Sequence, residues 1–264
     1  MQSNFVPQQR IVEKLDEYMS HRDYEGAERH LLYWLKEAIA LEDGRGELMV
    51  RNELVGHFRK TGEQDRAFSH AREALRLLGE LEMSGTISAG TTYTNIATAY
   101  NAFGEYERSL ELFQSALDLY EQSSHTQPQL IGGLCNNMAL TCVALQRFDE
   151  ASDLYRKALD IMATVENGEL EQAITYLNMA DAVVAEAKER FDGDADAAMQ
   201  DPQVDAEVDA LLGKALGLLD TPSVPHDGYY AFVCEKCAPT FAYYGYFLAD
   251  EDLRARAKAI YERA

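Results

Sequence analysis

The side chains best able to do chemistry in this chain are its cysteines, histidines and carboxylates, and their spacing argues against a reaction centre. Cys234-Glu235-Lys236-Cys237 is a single CxxC. A structural zinc site takes four ligands, and no second CxxC or HxxxH accompanies this one. A thioredoxin-type dithiol would sit in a βαβ setting, and none is present. Cys135 and Cys142 stand seven residues apart, on one face of a helix. All four cysteines are expected to be packed, reduced thiols, because free cysteine is among the most buried residue types. His21, His30, His57, His70, His125 and His226 include no pair at i, i+3 or i, i+4, so no helical metal pair exists. GxSxG, Walker, HExxH and GxGxxG motifs are missing. With 45 acidic residues, carboxylate pairs arise by chance. No catalytic residue, metal ligand or cofactor is therefore expected. An enzyme would need an unrecognised site in the acidic insertion or a helix-interface pocket, and it stands as an unlikely alternative.

Another kind of chemistry does recur. Asn95, Asn137 and Asn178 follow one another at intervals of 42 and 41 residues. A carboxamide offers both donors and an acceptor, so it can pair with the N–H and C=O of an extended peptide. The competing use is a bond to its own helix or to a neighbouring side chain.

The elements that must carry these residues are themselves repeated. Tyr93-Thr94-Asn95-Ile96-Ala97 with Tyr100, Gly104, Tyr106, Phe113 and Ala116 returns as Cys135-Asn136-Asn137-Met138-Ala139 with Phe148, Ala151, Tyr155 and Ala158. Its first half returns again as Tyr176-Leu177-Asn178-Met179-Ala180, and an earlier copy reads Leu54-Val55, Phe58, Gly62, Ala67, Ala71. Within each copy the apolar residues fall at i, i+4, i+7, as on one helical face. Gly104 suits a left-handed helix cap. One such hairpin cannot bury both faces, so hairpins must stack. The spacing predicts twelve helices near 8–21, 23–41, 46–61, 63–82, 86–103, 105–122, 128–145, 147–164, 168–190, 203–220, 227–247 and 250–263.

This pattern of small and large residues resembles the tetratricopeptide repeat family, on Ile96, Ala97, Tyr100, Gly104, Tyr106, Phe113 and Ala116. A period of 42 rather than 34 is similar to the longer-helix variety in kinesin light chains and bacterial peptide-sensing regulators. Gln146 departs from the usual turn Gly and Ser109 from the usual Ala. The resemblance implies an all-α, right-handed superhelical α-solenoid of about six helix-turn-helix hairpins. As one domain over 1–264, its repeats fall near 8–47, 48–89, 90–131, 132–172, 173–226 and 227–264, with an acidic insertion at about 191–205. It also implies a concave groove lined by the first helix of each hairpin, with Asn95, Asn137 and Asn178 gripping peptide backbone. Asn52, Arg59, Thr98, Asn101, Asn136 and Asp181 are further groove candidates. A carboxylate clamp is disfavoured, because Arg59 and Lys60 are the only adjacent basic pair at groove positions.

The 264 residues carry 24 Lys and Arg against 45 Asp and Glu, a net charge of −21. Nucleic acid and anionic membranes both require a basic surface, so both are excluded as partners. No apolar run is long enough to span a bilayer, and the start carries no secretory signal pattern. The expected setting is cytoplasmic. Residues 165–226 hold 3 basic and 14 acidic groups, about half the excess. That stretch reads as a solvated loop, or as a docking patch for a basic partner. The expected function is a non-catalytic scaffold or adaptor that binds a protein or an extended peptide segment. The alternative is a peptide-responsive sensor acting through a second protein. The aromatic-rich last hairpin, Tyr229-Tyr230 and Tyr243-Tyr244-Gly245-Tyr246, either caps the solenoid or mediates homo-oligomerisation.

Overall fold

The computed structural model describes residues 4–263. Among the described residues there are thirteen α-helices and no strands. They pair as antiparallel neighbours: α1 (Gln8–Ser20) with α2 (Tyr24–Ala40), α3 (Gly44–Thr61) with α4 (Gln64–Glu80), and α5 (Ile87–Ala102) with α6 (Tyr106–Gln122). Beyond Gln127, α7 (Pro128–Ala144) pairs with α8 (Phe148–Met162), α9 (Glu169–Arg190) with α11 (Pro202–Leu219), and α12 (Gly228–Tyr243) with α13 (Phe247–Tyr261). A short α10 (Ala195–Met199) sits between α9 and α11. The chain forms two compact units, one running to Thr126 and one beginning at Gln127. The architecture is an all-α helical-repeat solenoid.

In the first unit, Ile11, Leu31, Leu54 and Phe58 are fully buried between α1, α2 and α3. Val55, Ala71, Ala74, Ile96 and Tyr100 continue that core through α4 and α5. The alanines explain the close approach of α4: a larger side chain would have no space at positions with no exposed surface. Gly90 does the same for α6, since a Cβ there would lie 2.5 Å from Cε1 of the buried Tyr120 ring. Ser109 also has a reason. It is fully buried, and its hydroxyl donates to the Ala97 carbonyl at 2.8 Å, tying α6 to α5. In the second unit the core runs from Leu170 and Leu177 through Val208, Leu212, Tyr230 and Phe241 to Leu253.

The turns repeat as well. Arg22, Gly62, Gly104, Gln146 and Gly245 lie in the turns of the α1–α2, α3–α4, α5–α6, α7–α8 and α12–α13 hairpins, with φ of 56°, 78°, 81°, 58° and 84°. Gln146 therefore holds the left-handed conformation that the glycines hold elsewhere. Gly245 also corrects an expected boundary. A helix over 227–247 would cross it, but the left-handed residue ends α12 at Tyr243, and α13 begins at Phe247 rather than 250. Similarly α3 starts at Gly44 rather than 46, because the buried Asp43 carboxylate accepts from Gly46 N and from Val6 N, both at 3.0 Å. The acidic stretch is not all loop. Asp194 caps α10 by accepting from Asp196 N and Ala197 N, and Asp201 caps α11 through Gln203 N and Val204 N. Carboxylates at helix N-termini satisfy the otherwise unpaired first-turn N–H groups.

Candidate peptide-binding surface

The candidate residues sit on the first helices of the hairpins. In the first unit, α3 and α5 lie side by side and run in the same direction. Asn52 meets Thr92, while Gly44 lies against the Leu81 side chain just upstream of α5. Between them opens a cavity of about 330 Å³, lined by Arg45, Met49, Asn52 and Glu53 of α3, by Met83, and by Asn95 of α5 among others. The α3 residues fall at i, i+4, i+7 and i+8, one face of a helix.

Asn52 Nδ2 donates to the buried Thr92 hydroxyl at 2.9 Å, and Thr92 passes its own proton to the Ser88 carbonyl at 3.2 Å. Asn52 Oδ1 is sealed from solvent and finds no partner among the described residues. Asn95 is partly buried and its carboxamide has no side-chain hydrogen bond among the described residues. Glu53 is also partly buried; desolvation and the neighbouring Asp16 carboxylate raise its pKa above the ordinary range. Arg45 is exposed and forms no ion pair among the described residues.

In the second unit, Asn136 is 7% exposed and its Oδ1 accepts from Asn178 Nδ2 at 3.1 Å, joining α7 to α9. Asn178 thus spends a donor on the fold and keeps its Oδ1. Asn137, beside Asn136, is partly buried and its side chain has no partner among the described residues. Asp181 is exposed and accepts from the Tyr244 hydroxyl at 2.8 Å, which links α9 to the end of α12.

The remaining candidates are less available or lie apart. Thr98 donates to the Thr94 carbonyl of its own helix at 2.8 Å. Arg59 is exposed in the last turn of α3, seven residues beyond Asn52, and does not line the cavity. Asn101 is partly buried in the last turn of α5. Asn52 and Asn95 are brought to one cavity, and Asn136 and Asn178 to one hydrogen bond. Arg45 and Glu53 were not expected from the sequence. Their signal was the i, i+8 spacing on the first helix of a hairpin, which only the placement of α5 makes significant.

All four cysteines are buried, and none is in a disulfide. Burial pushes the Cys237 thiol up to about 12 and raises Cys234 and Cys142, so none of these three favours the nucleophilic thiolate at neutral pH. Among the described residues no group of His, Cys, Asp and Glu has metal-site geometry, and no helix is long and apolar enough to cross a membrane.

The hairpins with their 42-residue spacing of left-handed turns agree with sequence comparison: the tetratricopeptide repeat profile matches residues 46–122 and 134–169. Those two segments are tetratricopeptide repeats. Protein KINESIN LIGHT CHAIN-RELATED 2 of Arabidopsis thaliana is 27% identical over 110 residues, covering 42% of this chain and 16% of that protein. The chain thus spans only a small part of that relative's length. The crystal structure of nearly identical TPR-like repeats attributed to a kinesin light chain of Podosopora anserina superposes with a TM-score of 0.51. It is 15% identical, covering 81% of this chain and 94% of that one, a likeness of fold. BtubC (BKLC) from P. vanneervenii is 19% identical over 97% of this chain and 91% of its own, with a TM-score of 0.47.

Proposed function

We propose that this tetratricopeptide repeat protein is a non-catalytic scaffold or adaptor whose first-helix faces bind an extended peptide segment of a protein partner. One observation carries this reading. Asn95 and Asn137, at equivalent positions of successive hairpins, present carboxamides with no intrachain side-chain partner on half-covered surface. Such groups match the alternating N–H and C=O of an extended chain. Asn178 contributes its remaining acceptor. Asn52, Asn136, Arg59, Thr98, Asn101 and Asp181 flank these positions. The reading takes residues 1–264 as one domain of six hairpins, in a reducing, cytoplasmic setting that suits four cysteines outside any disulfide. It includes self-association through the last hairpin, where Phe247 and Leu248 are 65% and 83% exposed.

The test is capture of partners from native extract by wild type and by the Asn95→Ala, Asn137→Ala double variant, with Asn178→Ala as a separate arm. The double variant is expected to keep its stability within about 0.5 kcal/mol, because no bond is lost, and to lose the partner. Asn178→Ala is expected to cost about 1 kcal/mol, since it strands the buried Asn136 acceptor. A partner held equally by wild type and a folded double variant would move the interaction to the acidic stretch or the outer helices.

A further inference from the structure

The cavity between α3 and α5 has features that backbone gripping alone does not require. Arg45 and Glu53 stand at its two ends, eight residues apart on one helix, opposite in charge and each without an ion-pair partner among the described residues. Other arginines of the first unit are spoken for: Arg51 pairs with Glu47, Arg66 with Glu28 and Glu63, and Arg76 with Glu73 and Glu80. Between Arg45 and Glu53 lie the unpartnered Asn52 Oδ1 and the unpartnered Asn95 carboxamide, with Met49 and Met83 adding apolar surface.

From this arrangement we infer that the cavity is a site for a short free peptide, read at both of its charged ends. The bound carboxylate pairs with Arg45, and the bound ammonium pairs with Glu53. The Arg45 end lies at the first turns of α3 and α5, where helix dipoles favour an anion. The Glu53 end lies beside Asp16, two carboxylates that a cation would relieve. The dimensions agree. Eight helical residues span about 12 Å at the rise of an α-helix, and an extended peptide advances about 3.4 Å per residue, so the span matches about three residues. Asn95 then meets an internal amide, and the methionines, with their adaptable side chains, take apolar side chains of varied shape.

The inference rests on the peptide-binding reading above and narrows its occupant in the first unit. It is tested by equilibrium dialysis of the full chain against an equimolar tripeptide mixture with free termini, read by mass spectrometry. The same mixture is then offered N-acetylated, and again C-amidated. The protein is expected to retain a subset of the free tripeptides, and each blocking group to lower retention about tenfold, the loss of one charge-assisted contact. Arg45→Ala should remove the discrimination against amidation and Glu53→Gln the discrimination against acetylation, both with unchanged helicity, because both side chains lack intrachain partners. No retention by wild type, or retention indifferent to both blocking groups, would overturn the inference. Sensitivity to amidation alone would also overturn it, assigning the cavity to the C-terminal tail of a protein. Each of these outcomes leaves the capture experiment with the Asn95 and Asn137 variant to decide the broader reading.

Discussion

Tyr155 carries its hydroxyl into a part of the second unit where no described residue receives it: the side chain is 1% exposed and the hydroxyl has no partner among the described residues. Burial and the negative charge of Asp181 raise its pKa far above the ordinary phenol value. A buried hydroxyl without a bond costs more than it returns. Tyr155→Phe is therefore expected to stabilise the chain by up to about 1 kcal/mol, read as a higher midpoint in thermal denaturation; a fall in the midpoint would mean the hydroxyl is bonded after all. In the first unit, His57 is 4% exposed with both ring nitrogens unpartnered, and His70 stacks on Phe58 at 5.5 Å between centroids. Burial lowers both pKa values, that of His70 from 6.5 to about 4 with help from Arg51 and Arg66. The unfolded chain takes up protons at these histidines below 6.5 while the folded chain does not. The contribution of His70 is whole above that pH and is lost as pH falls toward 4, by up to about 1.4 kcal/mol per pH unit; that of His57 changes in the same direction. Urea midpoints followed by circular dichroism should be lower at pH 5 than at pH 7, and His70→Gln should shrink the difference. Equal midpoints would show that neither imidazole is held neutral by the fold.

Single helices here are positioned by their turns. Gln146 holds a φ of 58°, where the equivalent residues of the two preceding hairpins are Gly62 and Gly104. A side chain in that conformation costs about 1 kcal/mol relative to glycine, offset in part by the Gln146 Nε2 bond to Glu189 and by the greater freedom of glycine when unfolded. Gln146→Gly is expected to raise stability by about 0.5 kcal/mol, measured by chemical denaturation; a loss of 1 kcal/mol or more would make the Glu189 bond the dominant effect. The 42-residue rhythm of turns was readable from Gly62 and Gly104, and the departure at Gln146 was visible as a residue type. That Gln146 nonetheless adopts the glycine conformation was not, because the packing of α7 on α8 imposes it. In the acidic stretch the same limit applied. Its charge indicated a loop, whereas Asp194 and Asp201 use that charge to start α10 and α11.

Across the whole chain the excess of 45 acidic over 24 basic groups opposes compaction. Residues from Gln127 on hold 24 acidic and 11 basic side chains, and those before hold 21 and 13. Self-repulsion of exposed like charges is screened over about 10 Å at 0.1 M salt. Raising NaCl from 20 to 300 mM should therefore lift the thermal midpoint by a few degrees. A midpoint that falls would show that the surface ion pairs, such as Arg76 with Glu73 and Glu80, outweigh the repulsion. The charge also disfavours polyanions as partners.

What the amino-acid sequence determined by itself was the repeat: the helical period, the small residues at Ala71, Ala97 and Ala139, and the turn glycines are local signals that need no knowledge of neighbours. The recurrence of Asn95, Asn137 and Asn178 was equally plain. Only the tertiary structure decided which of those amides is spent. Asn178 and Asn136 bond because α7 and α9 bring them within 3.1 Å, whereas Asn95 and Asn137 meet no such partner. Arg45 and Glu53 looked like two more surface charges until the packing of α5 beside α3 placed both along one cavity. Periodicity reports which face of a helix is covered, but a hydrogen bond or a cavity depends on what the adjacent helix places opposite, and that is set by packing rather than by spacing along the chain.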